Sequence, residues 1–464
     1  MRNRAGTTRT PAVAGSRPSR LGRRRRRRLP AEPVEVEIHD LAHDGRGVGR
    51  VDDKVVFVHG ALPGERVHAR LTGRTRKFDE AIALVVEQAS EDRVEPRCEW
   101  FGNCGGCALQ HLDAAAQVRW KQGRLVENLK RIGGVSPDEW LEPLVAEPWN
   151  YRRRARLSAR WVPGKGRVLV GFREVGGRYV AEIEGCDVLH PAFAQRLMSL
   201  SALIGELSIP DRVAQVECAA GDGAAAIVLR HLEPLNDADH AALVRWSEAN
   251  DIAVWLQPKG PDTVHRLHPA EHRLSYRLDA FDLELEFHPQ HFVQVNATIN
   301  RRLTERAVDL LECGPGDRVL DLFCGLGNFS LPLARRAGSV LGVELDAAMV
   351  RAAEANASAN DLDNVSFRAA DLQLPVEQLA WLKGDFDGVL IDPPRSGALD
   401  VLPVIAASGA KRVVYVSCDP ATLARDAGEL VHTHGFRLRR AGVADMFPHT
   451  AHVESLAVFE RGAA

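Results

Sequence analysis

No apolar run in this chain of 464 residues reaches the roughly 18 residues that would suggest a membrane span, so no membrane partner is expected. No apolar stretch of roughly 7–15 residues follows the basic start either, which argues against a secretory signal. Acidic residues are missing from the first 30 positions, which hold eleven arginines, six of them in the run Arg23 to Arg28. The formal net charge is −2, which leaves −13 for the rest of the chain. That body is mildly acidic, so bulk charge alone does not announce a nucleic-acid partner. The arm also lacks apolar residues to build a core and is expected to be disordered. It reads either as a phosphate-attracting tail or as a dispensable extension or misassigned start. A solid arginine block is not amphipathic, unlike an organelle transit peptide. Without a secretory signal, the eight cysteines at 98, 104, 107, 186, 218, 313, 324 and 418 do not suggest disulfides. Cytoplasmic thiols, some of them metal ligands or nucleophiles, are the better expectation.

The length suggests two to four domains, and there is no internal repeat. VEVEIHDL, KVVFVHG, ERVHARLTG and EAIALVVEQ, between residues 33 and 89, alternate with a period near two and read as strands. Short strands this close together suggest a small barrel of the OB kind. Its expected loops carry Arg46, Arg50, Arg74, Arg76 and Lys77, either a surface that tracks an RNA backbone or simply a solvated face. A helical stretch from about Asp113 to Arg131 follows the first three cysteines. Residues 150 to 270 mix strands and helices, with no readable motif beyond Cys186. From about 315, apolar strand runs alternate with helical stretches, which indicates a doubly wound α/β domain on a parallel sheet.

What is missing from the motifs is as informative. Asp321-Leu-Phe-Cys-Gly-Leu-Gly-Asn-Phe ends a strand and opens a helix, with Gly325 and Gly327 permitting a sharp turn. The third glycine of a dinucleotide fingerprint is absent, because Ser330 stands there, and this disfavours a NAD-type oxidoreductase. Glu344 ends the next strand, where a carboxylate can accept hydrogen bonds from both ribose hydroxyls of an adenosine. Asp371 ends the third strand and Asp392 the fourth. All these points fall at the carboxyl ends of parallel strands, where open α/β sheets bind ligands. Each acid alone has a bland structural reading; together they indicate an adenosine cofactor. Enzymes that methylate exocyclic amines carry an aromatic residue after Asp-Pro-Pro, and here Arg395 stands instead. An amine has a lone pair with which to attack a methyl sulfonium. A pyrimidine C5 carbon has none, and needs a nucleophile added first.

Cys418 can supply it. It ends the strand VVYVSCDP at the same sheet edge as the acids, although a buried strand cysteine is ordinarily a small hydrophobe. Attack on C6 of uracil would make C5 nucleophilic, and a base must afterwards remove the C5 proton to expel the thiolate. His449, His452 and Glu454 in MFPHTAHVES are the candidates, and reach and pKa, which would rank them, are not readable from sequence.

DLFCGLGNFS, LIDPPRSG, VVYVSCDP and FPHTAHVE together resemble the RNA uracil-C5 methyltransferase family, and the similarity covers nearly everything from residue 33 onward. The resemblance implies S-adenosyl-L-methionine as cofactor, Cys418 as nucleophile and Glu454 as base. It implies Gln294 (in HFVQVN), Phe323, Asn328, Glu344, Asp371 and Asp392 as cofactor-binding residues. Cys98, Cys104, Cys107 and Cys186 resemble the iron–sulfur signature of the ribosomal branch. Four thiolates can hold zinc or a [4Fe–4S] cluster, and the resemblance favours the cluster. Cys218 and Cys313 are expected to be packing residues, and Cys324 carries no assigned chemistry. The barrel resembles a TRAM module, and barrel plus cluster points to 23S ribosomal RNA as partner, at uracil(1939). The alternatives are another uridine of that RNA, transfer RNA, or a non-catalytic RNA-binding protein. The expected architecture is an arm (1–30), a TRAM barrel (31–90), a central α+β domain holding the cluster (91–290) and a Rossmann-like methyltransferase domain (291–464). A cytoplasmic monomer is the expectation.

Overall fold

The computed structural model describes residues 29, 32–374, 378–382, 384 and 386–461. The run Arg23 to Arg28, and with it any role for the arm, lies outside the described residues.

Alternation of apolar and polar residues builds the first unit. Strands β1 (Val34–Leu41), β2 (Gly47–Val51), β3 (Lys54–His59), β4 (Arg66–Arg74) and β5 (Phe78–Gln88) close into a barrel in the order β1-β2-β3-β5-β4. Val36, Ile38, Val56, Val58, Val67, Ala69 and Ala81 point inward and fill it. The expected basic loops are only partly loops. Arg50 lies on β2 and Arg74 ends β4, and Arg74 sits 3.5 Å from Asp79. Arg46 is in a turn but is paired with Asp44 at 2.8 Å and Glu80 at 3.0 Å. Arg76 and Lys77 alone stand exposed in a turn, between β4 and β5. Internal pairing, which sequence does not display, engages Arg46 and Arg74, while the exposed Arg50 donates to the Asp53 carbonyl at 2.8 Å.

Helix α1 (Ala114–Asn128) starts where the Asp113 carboxylate accepts hydrogen bonds from the N–H groups of Ala115 and Ala116. It runs into one π-helical turn, Leu129–Gly133, and stops at Gly134 in the left-handed region. The two-residue strand β6 (Glu139–Trp140) follows.

The central unit holds β7 (Arg154–Val162), β8 (Arg167–Gly171), α2 (Pro191–Ala194), α3 (Leu197–Glu206), β9 (Val213–Ala220), β10 (Ala225–His231), α4 (Asp237–Asn250), β11 (Ala253–Gln257) and β12 (His265–His268). Its sheet has the order β12-β11-β10-β9-β7-β8. Leu200, Leu203 and Ile204 of α3 and Leu243 of α4 pack on one face against Leu157, Val216 and Ile227. Cys218 is fully buried in that core. The hairpin β13 (Leu274–Leu278) and β14 (Leu283–Phe287) comes next.

The last unit contains α5 (Ala297–Leu311), β15 (Arg318–Leu322), α6 (Ser330–Ala334), β16 (Ser339–Glu344), α7 (Ala347–Ala359), β17 (Val365–Ala369), β18 (Gly388–Ile391), α8 (Leu402–Ala407), β19 (Arg412–Ser417), α9 (Pro420–His432), β20 (Phe436–Ala444) and β21 (Glu454–Arg461). Eight strands form one sheet in the order β17-β16-β15-β18-β19-β21-β20-β6. β17 to β19 run parallel, and β21 is antiparallel to both of its neighbours. Successive residues such as Val319 and Leu320, or Val413 and Val414, enter opposite cores. One core is closed by α5 and the β13–β14 hairpin, the other by α1, α8 and α9. Strand order reverses between β15 and β18, the crevice where such sheets take ligands. Continuous packing crosses residue 291, since β6 extends this sheet and the hairpin shares its core.

Candidate active site

Strand ends bring Glu344 and Asp392 to that crevice, whereas Asp371 follows the edge strand β17. Phe323 follows β15 in the left-handed region, at φ 64°, a conformation uncommon for a side chain of its size. Gly325 is at φ 56°, and a Cβ there would only reach ordinary contact, 3.7 Å from the Met349 Cε. Its N–H donates to the Glu344 carboxylate at 3.0 Å, and the N–H of Leu345 donates to the other oxygen at 2.8 Å. Those bonds fix Glu344 while leaving lone pairs for a ligand. Asp371 sits past β17 and accepts from the N–H of Gln373 at 2.9 Å. Gln294, in the loop before α5, donates to Asp392 at 3.5 Å. Burial raises the Asp392 carboxyl to about 7.

Asn328 is placed differently from its neighbours. Its Oδ1 accepts from the Tyr276 hydroxyl at 2.8 Å and from Asn300 at 2.9 Å, and its Nδ2 donates back to Asn300 at 3.0 Å. The side chain therefore locks the glycine loop onto α5 and β13. Beneath the loop, Asp321 is fully buried and accepts from Ser330, while its second carboxylate oxygen has no hydrogen-bond partner. Burial raises it to about 8. Cys324 is buried against Gly342.

Cys418 and Glu454 meet through strand register. Ser417 pairs with Ser455 across β19 and β21, so the next antiparallel position sets Cys418 opposite Glu454. Directly opposed side chains have Cβ atoms about 5 Å apart. Burial raises the Cys418 thiol to about 11, helped by the Glu454 and Asp392 carboxylates and opposed by Arg395. Glu454 is 2 % exposed, and burial, then Asp392, pushes its carboxyl well above the usual range. Of the two histidines in the same segment, His449 is buried with its ring 4.1 Å from Trp149, and burial holds it near 4. His452 instead faces the cleft, with Nδ1 3.3 Å from Arg395.

That cleft measures about 700 Å³. Cys418, Arg395 and His452 form one wall; His43 and Asp44 of the barrel, Arg124 and Asn128 of α1, and Arg152 form others. Motif reading missed this second group because the residues come from elements far apart in sequence. Phe292, two residues before Gln294, is 68 % exposed.

The four cysteines Cys98, Cys104, Cys107 and Cys186 line one small pocket with Trp100, Phe101, Phe172 and Ile183. Among the described residues, no three or more His, Cys, Asp or Glu side chains gather into a ready metal-holding group. Cys107, Gly106, Arg152 and Phe172 separate this pocket from the cleft, since they line both. Cys313 sits half-buried at the edge of the core beneath α5. Among the described residues no helix is long and apolar enough to cross a membrane.

Known proteins share this organisation. The sequence model of the family described as "tRNA (Uracil-5-)-methyltransferase" matches residues 276–462, and that of the TRAM domain matches residues 27–84. A protein of Alkalilimnicola ehrlichii named 23S rRNA (uracil(1939)-C(5))-methyltransferase RlmD is 54 % identical over 95 % of this chain and 99 % of its own length. The protein of the same name from Xanthomonas campestris pv. campestris is 51 % identical over 94 % of this chain and 99 % of its own length. Among solved structures, the Pyrococcus abyssi tRNA (uracil-54, C5)-methyltransferase, crystallised with S-adenosyl-L-homocysteine, superposes with a TM-score of 0.70. It is 24 % identical and covers 92 % of this chain and 100 % of its own, which shows a common fold. Full-length identity above one half and a shared barrel-plus-sheet plan establish that the chain belongs to the RNA uracil-C5 methyltransferase family.

Proposed function

We propose that this enzyme methylates C5 of a uridine in 23S ribosomal RNA, the position named uracil(1939) in its relatives. The observation that carries the chemistry is the strand register which, continued one step beyond Ser417 and Ser455, sets Cys418, lining a cleft of about 700 Å³, opposite the buried Glu454. Gln294, Phe323, Asn328, Glu344, Asp371 and Asp392 hold the cofactor, Asn328 by fixing the glycine loop. S-adenosyl-L-methionine supplies an electrophilic methyl group on its sulfonium sulfur. The Cys418 thiolate bonds to C6 of the uracil and the C5=C6 π pair moves into an enolate that is nucleophilic at C5; C5 would then take the methyl as the sulfonium S–CH3 bond breaks, its electron pair remaining on the cofactor's sulfur as a neutral thioether. Glu454 then accepts the C5 proton, the C5=C6 double bond reforms, and the thiolate leaves. A carboxyl raised by burial is a stronger base than an exposed one, which suits that last step. Reaching C6 requires the uracil outside any base stack, so the target is a loop base or one extruded into the cleft.

Cys98, Cys104, Cys107 and Cys186 would hold a [4Fe–4S] cluster. The four cysteines line one aromatic-walled pocket, and four thiolates of this kind can ligate such a cluster. Anaerobically purified protein should contain iron and acid-labile sulfide; stoichiometric zinc with neither would overturn this assignment. The target is tested by mapping 5-methyluridine in ribosomal and transfer RNA from cells lacking the protein. Loss at the one 23S position is expected. Retention there, with loss in transfer RNA, would overturn the choice of substrate.

A further inference from the structure

The segment that delivers Glu454 is held from outside the sheet. It joins the end of β20 to the start of β21, and Ala444 and Glu454 pair at its two ends. Helix α1 reaches it with two buried side chains one turn apart. Lys121, 1 % exposed, donates to the Asp445 carboxylate at 2.6 Å and to the Phe447 carbonyl at 2.9 Å. The Gln117 carbonyl oxygen accepts from the N–H of His449 at 2.8 Å. Its amide nitrogen donates to the carbonyls of Leu112 at 2.8 Å and Leu109 at 3.0 Å. The N–H groups of Ala108 and Leu109 in turn donate to the His449 carbonyl, at 2.9 and 3.0 Å. His449 has φ 65°, a left-handed conformation that persists only when the surroundings hold it. Gln117 and Lys121 do not line the cleft, whereas Trp120, Arg124 and Asn128 of the same helix do.

We propose that Gln117 and Lys121 are positioning residues that hold the segment from Asp445 to His452 so that Glu454 stands opposite Cys418. The proposal rests on the reading of Glu454 as the base and of Cys418 as the nucleophile. In the step it affects, Glu454 takes the C5 proton. The C5–H electron pair becomes the C5=C6 bond, and the C6–S pair returns to the Cys418 sulfur. Misplacing the base slows this step and leaves the earlier attack and methyl transfer intact, because Cys418 is carried by β19 and not by the segment. A shift of about 1 Å in a catalytic group can cost roughly 100-fold.

The test uses the full chain, an RNA fragment with ordinary uridine, and S-adenosyl-L-methionine. The fraction of RNA covalently bound to protein is read on denaturing gels beside the turnover rate. Lys121→Met and Gln117→Leu should lower turnover roughly 10- to 100-fold while raising the covalent fraction, and Lys121→Arg should recover part of the loss. Asp445→Asn, which keeps the shape of the pair, should behave like Lys121→Met and serves if the latter does not fold. Covalent fraction and turnover falling together, or both staying at wild-type levels, would overturn the proposal. Glu454→Gln is the control for the underlying reading: it should raise the covalent fraction most. If it does not, the assignment of the base fails first. If it does and the α1 variants do not, only the positioning role fails.

Discussion

At the residue scale, Cys418 stands in surroundings that oppose its ionisation. Burial and two nearby carboxylates raise the thiol to about 11, and Arg395 is the positive group that works against them. Only a small fraction is thiolate at neutral pH, so its reactivity should climb about tenfold per pH unit between 7 and 9. Alkylation of Cys418 by iodoacetamide, followed by mass spectrometry, measures this. Arg395→Gln removes the cation and raises the thiol further, so alkylation at pH 8 should slow by roughly 3- to 10-fold. An unchanged rate in that variant would show that the guanidinium does not support the thiolate. The same arginine is where sequence was most informative, because an aromatic in its place would have indicated amine chemistry. Sequence was least informative at Asn328, whose motif does not tell which way an amide points. Its bonds to Tyr276 and Asn300 come from elements outside the motif.

At the scale of elements, the turn that follows α1 makes one especially close approach to α9. A Cβ on Gly133 would come within 2.3 Å of the Ala424 carbonyl oxygen in α9. Gly428 of α9 faces the same backbone, and His432 lies 3.0 Å from the Gly133 carbonyl. Gly133→Ala must therefore push the end of α1 away from α9, at a cost of about 1–3 kcal/mol. Urea unfolding should show that loss, and a midpoint equal to wild type would contradict the packing described. The alternating strands of the barrel and the apolar strands of the parallel sheet were legible in sequence because periodicity reports burial directly. β2 was not, since two of its five residues are glycines, and neither was β6, whose two residues become a strand only by pairing with β20. The helix after the first cysteines was legible, but its attachment to α9 through Gly133 was not.

At the scale of the whole molecule, regions distant in sequence meet at one cleft. The barrel contributes His43 and Asp44, the cysteine loop Gly106 and Cys107, and the catalytic sheet Arg395 and Cys418. Motifs located the catalytic edge because its chemistry is written in short segments. The walls contributed by α1 and the barrel depend on tertiary packing, and no local spacing records them. The account as a whole stands on Cys418 bonding to C6 of the target uracil. RNA carrying 5-fluorouridine at the target tests it most directly, since fluorine cannot leave C5 as a proton and elimination should stall after methyl transfer. With S-adenosyl-L-methionine present, the wild-type protein should give a protein–RNA adduct stable on a denaturing gel, and Cys418→Ala should give none. An adduct of equal yield in the alanine variant would contradict the account.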